Sequence, residues 1–209
     1  MIHRIELSKT FRFVQHGTIT NNSILLYVLH GYGQLPEFFS RKFMPLPENV
    51  VLIAPEGMHR FYLQGTSGRV GASWMTKESR EDDIRDNIQF LNTLDTNLTA
   101  DIQPLKRIVL GFSQGGATAA RWKAHAQSPI DHLIMWAAIF PPDLENEEFS
   151  LEPNKHHFVI GNKDPYFTES QHEQTCNFYT QKNFIIHCFS GVHDINNEVF
   201  NRVLKTCIE

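Results

Sequence analysis

The chain has 209 residues, of which 41% are hydrophobic and 20% charged, and its formal net charge is −4. This length and balance suit a globular domain with a sizeable core. No dense run of lysine and arginine occurs, and the longest apolar run, residues 133–140, is too short to cross a bilayer, so neither a nucleic-acid partner nor stable membrane insertion is expected.

Six short apolar runs are separated by longer segments that could form helices. In chain order the runs cover residues 24–29, 50–54, 107–110, 133–138, 157–160 and 184–189. Runs that are apolar on both faces predict strands buried on both sides, as in a parallel sheet covered by helices. Residues 4–16 are predicted to add one or two antiparallel edge strands.

Apolar spacing and capping residues predict helices between these strands. The predicted helices cover residues 79–94, 114–126, 168–182 and 194–205, the last with Asp194 as its N-cap. The alternation predicts one α/β domain over residues 1–209, a doubly wound, mostly parallel sheet flanked by helices. In such sheets ligands bind beyond the carboxyl ends of the strands.

The residues that follow the third predicted strand carry the strongest chemical signal. Gly111-Phe-Ser113-Gln-Gly115 is a G-x-S-x-G motif between a buried strand and a helix rich in small residues. In a nucleophile elbow this pattern exposes the serine hydroxyl on a tight turn at a helix N-terminus. Ser113 is therefore the predicted nucleophile.

An acid and a histidine follow Ser113 in the order that a hydrolase triad requires. Asp164 comes after the strand ending at Gly161, and His193 comes between the last strand and the last helix. His193 is the predicted base and Asp164 the residue that orients it. Asp194 is the rival acid, but its position next to His193 makes reaching back to the ring awkward.

Acyl transfer also needs two donors for the developing oxyanion. The backbone N–H of Gln114 is one predicted donor. The N–H of Tyr32 is the other, because Leu29-His30-Gly31-Tyr32-Gly33 follows the first buried strand as a glycine loop. His30 is predicted to brace this loop rather than to act as a base.

Together these segments resemble the phospholipase/carboxylesterase family of small α/β hydrolases, which includes acyl-protein thioesterases and bacterial carboxylesterases. The segments that carry the resemblance, in the family's order, are residues 29–33, 73–74, 111–117, 161–164 and 191–193. The resemblance implies the α/β-hydrolase fold, hydrolysis of esters or thioesters without a cofactor, and often a homodimer. It assigns the same triad and oxyanion donors as the residues themselves do.

The chain departs from the family pattern in three places: after Pro55, after Trp74, and at Pro141-Pro142. All lie near the expected acyl pocket, so they bear on substrate range and leave the triad intact. Trp74, Phe140 and Tyr166 are predicted to line an apolar site for a small-molecule ester or thioester. Glycines in residues 56–73 suggest a mobile flap over it.

Several alternatives remain open beside a carboxylesterase. They are a lysophospholipase, an acyl-protein thioesterase, a peptidase, and a catalytically inactive binding protein on the same fold. No metal site is expected, because the three cysteines have no metal-like spacing and no H-E-x-x-H motif occurs. Free thiols and the lack of an apolar secretory segment predict a cytoplasmic protein.

Overall fold

The computed structural model describes residues 1–144 and 155–209 and contains one seven-stranded sheet and a separate hairpin. The strands are β1 (Phe13–His16), β2 (Ile24–Leu29), β3 (Val50–Pro55), β4 (His59–Gln64), β5 (Ser67–Ser73), β6 (Lys106–Phe112), β7 (His132–Trp136), β8 (His156–Gly161) and β9 (Ile185–Phe189). The sheet order is β1-β3-β2-β6-β7-β8-β9. Only β1 runs antiparallel to its neighbour, so the predicted mostly parallel sheet is confirmed.

Helices cover both faces of this sheet. They are α1 (Pro36–Phe39), α2 (Arg80–Leu98), α3 (Gln114–His125), α4 (Glu169–Gln181) and α5 (Asn197–Ile208), with short 3-10 turns at Ser40–Phe43 and Pro142–Leu144. α2, α3 and α4 pack on one face, and α1 and α5 on the other. The strand side chains alternate between these two apolar layers, as sheet geometry requires.

β2 shows why the chain folds this way. All six of its residues are buried, with Leu25, Tyr27 and Leu29 in one layer and Leu26 and Val28 in the other. Burying a side chain of this size contributes about 1.5–3 kcal/mol, and a strand covered on both faces collects this along its whole length. No helix among residues 1–144 and 155–209 has the length and apolar character needed to cross a membrane.

Two local predictions differ from the structure, and one is confirmed. Asp194 does not cap the last helix: α5 begins at Asn197, and the side chain of Asn196 accepts the N–H of Val199, so Asn196 is the cap. The predicted N-terminal edge pairing is confirmed, with one short antiparallel strand, β1. α2 continues to Leu98, four residues beyond the predicted end, because Asp95, in its last turn, is held by Tyr27 and Arg107.

Most of residues 56–73, the segment suggested as a flap, form the β4–β5 hairpin. The hairpin attaches to the loop after β2 through two backbone hydrogen bonds. Gly33 N–H donates to the carbonyl of Ala72 at 2.8 Å, and Ala72 N–H donates to that of Gln34 at 3.1 Å. The rings of Tyr32 and Phe61 pack at 4.9 Å. The hairpin therefore lies against the loop predicted to supply an oxyanion donor.

Candidate active site

Ser113 occupies a sharp turn between β6 and α3. Its backbone has φ 52° and ψ −119°, a conformation that costs a non-glycine residue of order 1–3 kcal/mol. Its N–H donates to the carbonyl of Trp136 at 2.9 Å, which ties the turn to the end of β7. Gly111 is needed here because a Cβ atom would overlap the backbone of Gly115 and Gly116. The turn thus has the form of a nucleophile elbow.

Asp164 and His193 meet at the ends of β8 and β9. The Asp164 Oδ2 atom lies 2.6 Å from Nδ1 of His193, and Asp164 Oδ1 accepts the N–H of Tyr166 at 3.0 Å. The Asp164 side chain is fully buried, while 16% of the His193 side chain is exposed. Since a carboxylate only accepts, Nδ1 of His193 carries the proton and Nε2 is left as the basic atom.

Backbone contacts hold the Asp164 and His193 loops together. Asn162 N–H donates to the carbonyl of Phe189, and Lys163 N–H donates to that of Gly191, each at 2.9 Å. Gly161 has no space for a side chain, because a Cβ atom would overlap the carbonyl of Gly191. Backbone hydrogen bonds and close packing therefore join the two loops, and this fixes the positions of Asp164 and His193 relative to each other.

His193 lies beside the elbow. Its ring packs against that of Phe112, the residue before Ser113, at a centroid distance of 4.8 Å. The ring of Tyr166 also packs edge-on against His193, at a centroid distance of 4.5 Å. In the described chain no hydrogen bond joins the Ser113 hydroxyl to His193, and such bonds are often loose until substrate is bound. Asp194 points elsewhere, toward Lys42 Nζ at 2.6 Å.

The loop after β2 is held by His30, as its sequence position predicts. Gly57 N–H donates to Nε2 of His30 at 2.9 Å, so the ring's proton is on Nδ1, which donates to the carbonyl of Gly31 at 2.8 Å. Burial lowers the pKa of His30 to about 4. His30 is therefore a neutral brace with both nitrogens engaged.

Glu56, the residue before Gly57, forms partly buried ion pairs in the same region. This carboxylate is 2% exposed and pairs with Arg12 and with Arg60. Burial by itself would raise the pKa of Glu56, but the hydrogen bonds and charges of the two arginines outweigh it, and the pKa is lowered. Glu56 is thus held as an anion next to Gly57, the residue that donates to His30.

Two backbone N–H groups in this region have no acceptor among the described residues. One belongs to Tyr32, whose neighbours Gly31 and Gly33 donate to Gln34 Oε1 and to the carbonyl of Ala72. The other belongs to Gln114, the first residue of α3, where helix geometry leaves the N–H without an intrahelical partner. These are the N–H groups that the sequence predicts as oxyanion donors.

The side chain of Gln114 has a structural role that the sequence did not indicate. Its Oε1 accepts the N–H of Trp74 at 3.0 Å, and its Nε2 donates to the carbonyl of Met75 at 2.9 Å. It also hydrogen-bonds to the Ser73 hydroxyl. Gln114 therefore fastens the end of β5 to the elbow. These partners are about 40 residues away in the chain, so no local pattern marks them.

The predicted substrate-lining residues divide into two groups. Trp74 is fully buried, with its Nε1–H donating to the carbonyl of His30 at 2.8 Å. Phe140 is 3% exposed and packs among Phe178, Tyr179 and Phe184. Both rings belong to the core, so the structure gives them no surface for a substrate. Tyr166 is 73% exposed beside His193 and stays a candidate.

A groove missed by the sequence reasoning opens beside the loop after β2. It has a volume of about 430 Å³ and is lined by Gly33, Gln34, Leu35, Phe38, Phe39, Lys42, Arg69 and Val70. Its walls come from the loop after β2, from α1 and the turn that follows it, and from the hairpin, and they combine apolar side chains with the polar Gln34 and the basic Lys42 and Arg69. The two segments are far apart in the chain, which is why the sequence did not indicate the groove.

Comparisons with known proteins agree with this architecture. The structure resembles acyl-protein thioesterase 2 of Zea mays, with TM-score 0.69, 18% identity, and coverage of 93% of this chain and 96% of that one. A carboxylesterase of Bacillus cereus has TM-score 0.62, 14% identity and coverage of 94% of both chains. A phospholipase/carboxylesterase of Dyadobacter fermentans has TM-score 0.58, 12% identity, and coverage of 98% of this chain and 99% of that one. No curated protein matches the sequence.

Identities this low establish the fold alone. The sequence itself gives a more specific result, because residues 11–208 match the family model described as phospholipase/carboxylesterase. That match spans nearly the whole chain, including the elbow and the loops of Asp164 and His193. The chain therefore belongs to the phospholipase/carboxylesterase family of α/β hydrolases.

Proposed function

We propose that this protein is a serine hydrolase that cleaves carboxylic esters, thioesters included, through an acyl-enzyme intermediate. The observation that carries the proposal is the 2.6 Å contact between Asp164 and Nδ1 of His193, beside the strained turn of Ser113. This contact leaves the basic Nε2 of His193 available beside a partly buried nucleophile. An idle serine in a glycine turn would not need a buried carboxylate to orient a neighbouring imidazole.

In the acylation step the Ser113 oxygen attacks the carbonyl carbon of the substrate while Nε2 of His193 takes the hydroxyl proton. Asp164 stabilises the imidazolium and stays ionised. The N–H groups of Tyr32 and Gln114 donate to the carbonyl oxygen as it becomes negative. The tetrahedral intermediate then collapses, the C–O or C–S bond breaks, and His193 gives the proton to the leaving alcohol or thiol.

Deacylation repeats these steps with water. His193 removes a proton from a water molecule, whose oxygen attacks the acyl carbon of the ester formed with Ser113. The same N–H groups receive the second oxyanion. Collapse releases the carboxylic acid and returns the proton to Ser113, so one ester and one water yield one acid and one alcohol or thiol. Apart from the substrate and water, residues of this chain supply every group that takes part in these reaction steps.

The groove between α1 and the hairpin supports an amphiphilic substrate. Its lining includes Gly33, the residue after Tyr32, and the apolar side chains of Leu35, Phe38 and Val70. Burying each methylene of an acyl chain contributes about 0.8 kcal/mol. We therefore expect medium or long acyl chains to be preferred over acetyl, as a lysophospholipase or acyl-protein thioesterase reaction would require.

The test of the proposal is hydrolysis of p-nitrophenyl esters from acetyl to palmitoyl by the native protein and by Ser113→Ala. We expect turnover by the native protein and a loss of about 10⁴–10⁶-fold in the variant. A fluorophosphonate should label native Ser113, located by mass spectrometry of the modified peptide. Failure of both turnover and labelling would favour an inactive binding protein on this fold.

The groove is tested separately by Leu35→Trp, which narrows it without touching the triad. The variant should keep acetyl ester turnover and lose the rate advantage of longer chains. The matched control is Leu105→Trp, at an exposed leucine outside the groove lining. An unchanged chain-length profile in Leu35→Trp would assign the acyl chain to another surface. Acyl thioesters assayed alongside the oxygen esters establish which leaving group is preferred.

A further inference from the structure

Two buried histidines and a partly buried third lie beneath α5, in a part of the sheet that the hydrolase chemistry does not use. His132 begins β7, His157 is the second residue of β8, and His187 lies in β9. The sulfur-bearing residue Cys207, in the last turn of α5, is fully buried against the same layer. Ser113 follows the carboxyl end of β6, whereas His132 and His157 lie at the amino ends of their strands.

The hydrogen bonds of these rings leave the Nε2 atoms of His132 and His157 available for another partner. Nδ1 of His132 lies 3.1 Å from the carbonyl of Lys155, so Nδ1 carries the proton and Nε2 holds a lone pair. Nδ1 of His157 lies 3.0 Å from Nε2 of His187. Nε2 of His157 is buried and has no partner among the described residues.

An unpaired polar atom in such a place requires an explanation. His157 is 0% exposed, and leaving a buried ring nitrogen unpaired costs about 1–3 kcal/mol. Because the two nitrogens of an imidazole point apart and Nδ1 faces β9, Nε2 is directed toward β7 and α5. His132 and Cys207 lie on that side.

The three side chains are close enough to share one ion. A ring nitrogen of His132, a ring nitrogen of His157 and the sulfur of Cys207 all lie within 4.8 Å of one another. In tetrahedral zinc sites, bond lengths of about 2.0–2.3 Å place ligand atoms about 3.3–3.7 Å apart, so modest side-chain rotation closes the set. We propose that His132, His157 and Cys207 bind a thiophilic transition-metal ion of the Zn²⁺ class.

The surroundings match those of metal-binding histidines. Such histidines donate their second ring N–H to a carbonyl or another acceptor, which fixes the tautomer that binds the metal. The carbonyl of Lys155 does this for His132, and His187 does it for His157. Two imidazoles and a thiolate are ligands that Zn²⁺ and Co²⁺ accept, with a fourth position for water.

Binding has a defined proton balance. Burial raises the pKa of Cys207 to about 12, against the nearby positive charge of Lys106, so the thiol is protonated before the metal arrives. The ion replaces that proton: the S–H bond breaks, a metal–sulfur bond forms, and one proton is released to solvent. The ion would join β7 and β8 to α5, so it would stabilise the fold without taking part in hydrolysis.

The test uses Co²⁺ as a spectroscopic probe and Zn²⁺ as a competitor, added to chelator-treated full-length protein. His172, Cys176 and Cys188 form another group whose ligand atoms lie within 4.8 Å of one another, so Cys176→Ser serves as the background. In that background we expect one Co²⁺ per chain, with a thiolate-to-cobalt charge-transfer band and tetrahedral visible bands that Zn²⁺ abolishes. Zn²⁺ should also raise the unfolding temperature.

Three further variants, each made in the Cys176→Ser background, assign the ligands. Cys207→Ser and His132→Gln should each lose the charge-transfer band and the Zn²⁺-dependent rise in unfolding temperature. His187→Leu keeps the ligands but removes the partner of His157, and it should weaken Zn²⁺ binding by about 10–100-fold. Ester turnover and far-ultraviolet circular dichroism verify that each variant is folded.

Two results would overturn the proposal. One is the absence of the charge-transfer band in Cys176→Ser, which would place any thiolate-bound metal at the other group. The other is a band that persists in Cys207→Ser. If Cys207→Ser does not fold, His132→Gln decides alone, because it leaves both the thiol and the packing of α5 in place.

Discussion

Replacing Asp164 by asparagine tests the assignment of the acid most directly. Both carboxylate oxygens of this buried side chain accept hydrogen bonds, one from the Nδ1–H of His193 at 2.6 Å and one from the N–H of Tyr166 at 3.0 Å. Asparagine has one oxygen. If that oxygen faced His193, the amide NH₂ would face the Tyr166 N–H, and a buried donor left unpaired costs about 1–3 kcal/mol.

The opposite orientation avoids this clash and is expected to prevail. The oxygen then accepts from Tyr166, and the NH₂ donates to Nδ1 of His193. That hydrogen bond moves the ring proton to Nε2, so the imidazole can no longer accept the proton of Ser113. The equivalent change in a Ser-His-Asp enzyme lowers kcat by about 10⁴-fold, which corresponds to about 5.5 kcal/mol of transition-state stabilisation.

The assay is kcat for a p-nitrophenyl ester, with urea unfolding to verify that stability changes by no more than about 1 kcal/mol. Asp194→Asn is the matched control. It alters the neighbouring acid, whose partner Lys42 and own carboxylate are 35% and 51% exposed, so it should cost less than about 1 kcal/mol and leave kcat nearly native. A kcat within about tenfold of native in Asp164→Asn, or a large loss in Asp194→Asn, would refute the assignment.

Three other predictions follow from the same region. Gly111→Ala should lower the free energy of unfolding by about 3 kcal/mol or more, because its Cβ overlaps backbone. Gly65→Ala, in open space at φ +76°, should lower it by only about 1–2 kcal/mol. Equal losses would show that the elbow tolerates a side chain. Gln114→Ala keeps its backbone N–H but releases Trp74, so kcat should fall about 10–100-fold, and a native kcat would show that the clamp is dispensable. In the folded protein the pKa of His30 is about 4, below the value of about 6.5 for a free histidine. Neutral His30 therefore contributes its full stabilisation of the folded state above about pH 6.5. This contribution, about 3 kcal/mol in total, is lost as the pH falls from about 6.5 to about 4. Urea unfolding across this range should show a pH slope smaller in His30→Gln by up to about 1.4 kcal/mol per unit, and identical slopes would exclude His30 as the titrating group.

Much of the fold and the main chemistry could be predicted from local patterns. Fully apolar runs marked the strands of the central sheet, since strands buried on both faces cannot carry polar residues. Helical spacing placed α2, α3 and α4 within a few residues, and a capping box of Thr168 with Gln171 begins α4 at its predicted position. The elbow at Ser113 is local in its G-x-S-x-G pattern and in the contact of Gly111 with Gly115 and Gly116, whereas Gly115 is also needed for its close approach to the carbonyl of Leu29 in a distant strand.

The sequence by itself determined which residue types follow each strand, and the sheet topology then required those strand ends to meet. Only the tertiary structure decided which side chains face the site. Trp74 and Phe140 look like pocket residues in sequence, yet packing against His30 and Tyr179 buries them. The Gln114 clamp, the groove at Phe38 and the group of His132, His157 and Cys207 all join distant segments. Their contacts depend on how helices dock on the sheet, and no local periodicity encodes that docking.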